Sequence, residues 1–92
     1  MIRSYRDRRT KNFAEGKAVR NFQGFKRQAE KRLEILEAAE SLGDLAALSS
    51  NRLEALFGDR QGQHSIAINR QWRICFLWRG DGAESAEIVD YH

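Results

Sequence analysis

HSIAINRQWRICFLWRGDGAESAEIVDYH, residues 64–92, decides how this chain folds. His64-Ser65-Ile66-Ala67-Ile68 alternates as a half-buried strand should. Asn69-Arg70-Gln71 makes a tight connection, and Trp72 to Arg79 is rich in aromatic and β-branched residues. Gly80-Asp81-Gly82 is a strong turn signal, after which Glu84 to Tyr91 forms a last strand. Three strands joined by turns this short can only pair antiparallel, as a meander. In the middle strand Trp72, Ile74, Phe76 and Trp78 share one face, with Cys75 and Leu77 on the other, so both faces are partly apolar.

Upstream the period changes. Phe22, Phe25, Ala29, Leu33 and Leu36 are spaced 3, 4, 4 and 3, one stripe along a helix that Gly43 should stop. Asp44 to Leu48 then adds at most two helical turns. Asp7 is placed to cap a short helix over residues 8–15, with Gly16 ending it. Met1 to Tyr5 reads as a strand, and Leu53 and Leu56 anchor a short piece of undecided type before the turn Gly58-Asp59-Arg60. The expectation is a single α+β domain over residues 1–92, its N-terminal helices packed on one face of a small antiparallel sheet. If Met1 to Tyr5 joins that sheet, it gains an extra strand.

Ninety-two residues, 41% of them hydrophobic and 32% charged, build one modest core under a highly charged surface. The longest apolar run is Ile74 to Trp78, far too short for a bilayer, and no apolar stretch follows the basic N-terminus as a secretory signal would require. A lone Cys75 cannot staple the chain, so a cytoplasmic location is expected. The net charge of +3 is unevenly made. Residues 47–92 carry five cations, all arginine: Arg52, Arg60, Arg70, Arg73 and Arg79. The guanidinium fork suits phosphate oxygens and nucleobases, but arginine also serves sheet edges, and charge alone leaves both uses open.

No Gly-rich phosphate loop or zinc-spaced Cys/His pair is present, and no group of acids has the number or spacing of a hard-cation cage. No metal and no cofactor are expected. His64 and Ser65 are strand neighbours and point to opposite faces, so they are no nucleophile and base. Cys75, between Ile74 and Phe76, reads as a core residue. Asp90, Tyr91 and His92 are different: an acid, a phenol and an imidazole stand together at a strand end, beside a sheet bearing arginines. Metal-free RNA cleavage needs such a set. The 2′-hydroxyl must lose a proton as it attacks, the leaving 5′-oxygen must gain one, and cations must take up the charge on phosphorus.

The stretch NRLEALFGDRQGQHSIAINRQWRICFLW, residues 51–78, with the final Asp-Tyr-His, resembles the HigB-type toxins of bacterial toxin–antitoxin pairs, within the RelE/ParE superfamily. The resemblance implies a ribosome-dependent mRNA endonuclease without a metal. It also implies a small helix-turn-helix antitoxin of the HigA type as partner, a heterotetramer with it and a monomeric free toxin. By position Asp90, Tyr91 and His92 match the family's active-site residues, Arg73 a basic position at the scissile phosphate, and Arg60 a second one. Arg52 and Arg70 complete the set expected to meet RNA. Two positions depart from the pattern: Glu54 stands where well-known members have histidine, and Phe57 where they have lysine. A carboxylate cannot stabilise negative charge as an imidazolium does, which keeps two other classes open: a superfamily branch that inhibits a protein such as gyrase, and a non-catalytic RNA-binding module.

Overall fold

The meander is present, with one further strand ahead of it. The computed structural model describes residues 1–90, whose strands β1 (Glu54–Ala55), β2 (His64–Ala67), β3 (Trp72–Arg79) and β4 (Gly82–Asp90) form one antiparallel sheet in that order. The undecided segment at Leu53–Leu56 is therefore an edge strand of two residues. Ile66 pairs with Ile74 and Ile74 with Ile88, so three buried isoleucines cross the sheet in one row. That row faces the helices.

The turns set the strand limits. β2 stops at Ala67, one residue short of the expected Ile68, because the Ile68 and Asn69 amides both donate to the Trp72 carbonyl, at 2.9 and 3.2 Å. The Asn69 side-chain oxygen accepts from the amides of Gln71 and Trp72, each at 2.8 Å, and tightens the corner. β4 starts two residues earlier than expected: Arg79 pairs with Gly82 across a two-residue loop whose first member, Gly80, has φ +64°. Further along, Cys75 faces Glu87 while Leu77 faces Glu84, so Ser85 and Ala86 together oppose Phe76. This bulge holds Ser85 at φ +54°.

The N-terminal residues lie along β4. Ile2 bridges Ala83 and Tyr5 bridges Ala86, both in parallel sense, and the Ser85 bulge between them interrupts a continuous ladder. The Arg3 amide donates to the Ala83 carbonyl at 2.7 Å, and the Ala83 amide to the Met1 carbonyl at 2.8 Å. The expected extra strand is thus realised as two bridges.

Helix α1 (Arg8–Ala14) is capped by Asp7, whose carboxylate accepts from the Thr10 amide at 2.9 Å, and Gly16 follows its end at φ +92°. The stripe from Phe22 to Leu36 is buried as expected, but its first part is a 3₁₀ helix (Arg20–Phe25) leading into α2 (Lys26–Ala38). Residues three apart eclipse in a 3₁₀ helix, so Phe22 and Phe25 both reach the Trp72 ring, at 5.8 and 4.7 Å between centroids. Gly43 does not stop a helix. α2 ends at Ala38, and Gly43 lies inside α3 (Leu42–Ala47). A capping signal outweighs the glycine: Ser41 Oγ accepts from the Asp44 amide at 3.1 Å, and the Asp44 carboxylate accepts from the Glu40 amide at 2.9 Å.

The helices cover one face of the sheet. Phe22, Leu36, Leu45, Ile66, Ile74, Phe76 and Ile88 fill the space between, and Trp72 and Trp78 pack at its margins. Thr10 joins the layers by a buried hydroxyl that accepts from the Ile88 amide at 3.0 Å. Among the described residues no helix is long and apolar enough to cross a membrane.

The N-terminal segment fits only because residue 82 has no side chain. A Cβ there would come within 2.8 Å of Arg3 Nε and 2.9 Å of the Met1 carbonyl oxygen. Gly82→Ala should therefore push the segment off β4 and cost about 1–3 kcal/mol. A lower urea midpoint, with faster amide exchange at Ala83, would show it; an unchanged midpoint would contradict the close approach.

Candidate functional site

The sheet face turned away from the helices carries the chemistry. Strand alternation that sends Ile66, Ile74 and Ile88 inward sends Ser65, Arg73, Cys75, Glu87 and Val89 the other way. Glu54 pairs with Ser65 and lies on the same side, within 3.9 Å of Arg73. Leu56, Ala67 and Cys75 are buried here, apart from the main core.

Arg73 is the centre of this face. Only 7% of it is exposed, where an arginine would ordinarily reach for water. Its Nε donates to Ser65 Oγ at 2.7 Å, and its Nη2 donates to the Arg52 carbonyl at 2.6 Å and to the Ser65 carbonyl at 3.4 Å. Glu54 Oε1, 3.9 Å from Nη2, belongs to a half-exposed side chain. A charge this buried needs such oxygens, because its desolvation is costly.

The segment that presents Glu54 is itself pinned. Asn51 is fully buried; its amide nitrogen donates to the Leu45 carbonyl at 3.0 Å, and its side-chain oxygen accepts from Arg32 at 2.7 Å. Arg52 then takes a left-handed conformation, φ +48°, which aims its carbonyl at Arg73. Beside them Arg60 donates to Gln63 at 3.1 Å and to Glu87 at 3.2 Å, and Arg6 approaches the same Glu87 oxygen at 3.8 Å. Arg60 is thus a brace between the turn before β2 and strand β4.

The expected site residues divide. Arg73 and Glu54 come together, and Arg60 lies on the same face through Glu87. The Arg52 backbone serves the site while its side chain is exposed, and Arg70 is exposed at the β2–β3 turn. Asp90 pairs with Trp72, one residue out of phase with Arg73, so alternation sets its carboxylate on the helix side of β4. There it accepts from Gln71 Nε2 at 2.9 Å. Tyr91 and His92 lie outside the described residues. Phe57 is 81% exposed.

His64 is stacked on Phe76 with its Nδ1 buried and unpartnered among the described residues, which is the setting of a packing imidazole. Burial pushes the Cys75 thiol up and Glu87 adds to this, while Arg60 and Arg73 oppose it; a protonated thiol suits a core residue. Sequence reasoning missed Ser65 and Glu87. The one signal available was a polar residue in each strand at the phase of Arg73.

A groove of about 300 Å³ elsewhere on the molecule is lined by Ile2, Tyr5, Leu33, Glu30, Glu34 and Glu37 among others. Burial, then Glu37 and Glu15, raises the Tyr5 phenol. Its carboxylates have the wrong sign for a polyanion, so the Arg73 face is the candidate for phosphate. Among the described residues no group of three or more His, Cys, Asp or Glu is arranged to hold a metal ion.

Helices on one side of a short antiparallel meander, with a polar cluster on the other, make this a small α+β protein of two layers. A chain in the YoeB-YefM complex from Staphylococcus aureus shares this fold, with a TM-score of 0.58, 15% identity and coverage of 100% of this chain and 98% of that one. The family model for HigB-like toxins, described as the RelE-like toxin of type II toxin-antitoxin system HigB, matches residues 3–92, and the chain belongs to that family. It is 40% identical over 62 residues to Toxin HigB-1 of Vibrio cholerae serotype O1, and 34% identical over 61 residues to Endoribonuclease HigB of Proteus vulgaris. Those matches cover 67% and 66% of this chain, and 64% and 65% of the relatives.

The raised Cys75 thiol links this face to pH. The unfolded thiol ionises near pH 8.5 and the folded one at higher pH, so the stability that Cys75 contributes is full below the unfolded value and is lost as pH rises through the folded one. Urea midpoints should fall between pH 7.5 and about 9.5, and Cys75→Ala should flatten that slope. An equal slope in both proteins would show that Cys75 is not its source.

Proposed function

We propose that this protein is the toxin of a type II toxin–antitoxin system and cuts mRNA on the translating ribosome. The observation that carries this reading is Arg73: a buried guanidinium held by hydrogen bonds on the sheet face turned away from the helices, in a chain of the HigB-like family. The name of the Proteus vulgaris relative, Endoribonuclease HigB, supports the activity.

In the proposed reaction the 2′-oxygen of one nucleotide attacks the adjacent phosphorus and the 5′-oxygen of the next leaves. A 2′,3′-cyclic phosphate and a 5′-hydroxyl result, and no metal takes part. One side chain removes the 2′ proton and another supplies a proton to the leaving oxygen. The resemblance assigns these duties to Asp90, Tyr91 and His92; the Asp90 carboxylate, turned to the helix side of β4, steadies the strand end through Gln71, and Tyr91 and His92 carry the proton transfers. Arg73 stabilises the charge that builds on the phosphoryl oxygens, and Arg60, Arg52 and Arg70 steer the phosphate chain. The partners are the 70S ribosome with its mRNA and a helix-turn-helix antitoxin of the HigA type. The free toxin is a monomer in the cytoplasm and forms a heterotetramer with that antitoxin.

Two measurements test this. Programmed ribosomes should see their message cut by the wild-type protein, and a single 2′-deoxy sugar at the cut position should abolish the cut because it removes the nucleophile. Cleavage of the deoxy message at the ribose rate would exclude attack by the 2′-oxygen.

Glu54 provides the second. Its carboxylate partly offsets Arg73 and repels an incoming phosphate. Glu54→Gln should raise cleavage several-fold, and Glu54→His at least as much, at low salt above all. Loss of activity in the Gln variant would instead make Glu54 the general base.

A further inference from the structure

We propose that Ser65 is the positioning residue for Arg73. Its effect on cleavage rests on the functional reading above; its effect on Arg73 does not.

Ser65 is fully buried, beside Cys75 and across from Glu54, on the face that also buries Leu56 and Ala67. A hydroxyl there is costly unless it is bonded. Its partner is Arg73 Nε at 2.7 Å. Ser65 and Arg73 sit diagonally on neighbouring strands, since Ser65 pairs with Cys75 and Ala67 with Arg73. A short side chain at that place reaches Nε, the nitrogen nearest the stem. The contact chosen matters: a bond at Nε fixes rotation at the start of the guanidinium and so sets its plane. The Nη2 bonds to the Arg52 and Ser65 carbonyls then fix its reach.

A free arginine side chain samples many rotamers. A cation that must first settle from several rotamers stabilises a developing charge less well than one already in place. Ser65 removes that freedom before RNA arrives. It touches no reacting atom and acts only through Arg73.

The test has a structural and a kinetic arm. In ¹⁵N-labelled protein the Arg73 Nε–H should give a dispersed, slowly exchanging signal that Ser65→Ala sends into the solvent-exposed arginine envelope. Ser65→Cys keeps a weak acceptor on the same stem and should lie between, which also serves if the alanine variant folds poorly. On programmed ribosomes Ser65→Ala should lower kcat on the order of 100-fold, as a misplacement of about 1 Å does, with KM little changed. In an Arg73→Ala background the same substitution should have no further effect. An unchanged Arg73 signal in folded Ser65→Ala overturns the proposal, as does an equal kcat loss in both backgrounds. If the wild type cuts no message, the functional reading falls, and the Nε–H signal alone decides whether Ser65 positions Arg73.

Discussion

A slip of one residue in the pairing of β3 would turn Arg73 and Cys75 into the helix-packed core and expose Ile74 and Phe76. Everything else depends on that register. The isoleucine row from Ile66 through Ile74 to Ile88 enforces it from one side, and the aromatic contacts of Trp72 with Phe22 and Phe25 enforce it from the end. With the register set, Ser65, Arg73 and Glu87 have no choice of face. Packing of the apolar side therefore assembles the polar one, although the two share no side chain.

The polar face follows a second rule. Each charge at its centre is met by groups of opposite polarity from more than one element: buried Arg73 by the oxygens of the Ser65 side chain, two carbonyls and Glu54, and half-buried Glu87 by the guanidinium groups of Arg60 and Arg6. Breaking any one partner leaves the other charge in place, which is why such groups are hard to vary singly. The same rule extends below the site, where the segment carrying Glu54 is held by Arg32 from α2, the Leu45 carbonyl of α3 and Arg73 from β3.

The strands were legible because alternation and turn chemistry are local signals. His64, Trp72 and the Gly80-Asp81-Gly82 corner stood where expected within two residues. The two-residue β1 was not, since Glu54-Ala55 has too short a pattern and becomes a strand only through its pairing with β2. Gly43 misled because glycine's low helix propensity is weaker than the Ser41 cap. Of the candidate site, Arg73 and Glu54 were legible through resemblance. Their contact was not, because it depends on a left-handed turn at Arg52 that no residue preference announces. Asp90 was placed near Arg73 in sequence terms, but pairing with Trp72 sets it a half-period away.

The N-terminal segment has a further effect on the sheet. An unpaired strand edge is a template for another chain, and among the described residues both outer strands of this sheet are short or partly occupied. On one side Met1 to Arg6 occupies the backbone groups of β4 at Ala83 and Ala86; on the other, β1 offers only two residues. Strand addition at β4 must first strip away a segment held by main-chain bonds and by the Arg3–Asp81 ion pair. A polypeptide that docks at β4 without displacing that segment must grip it by side-chain surfaces, and the same cover hinders edge-to-edge pairing of β4 with its own copies.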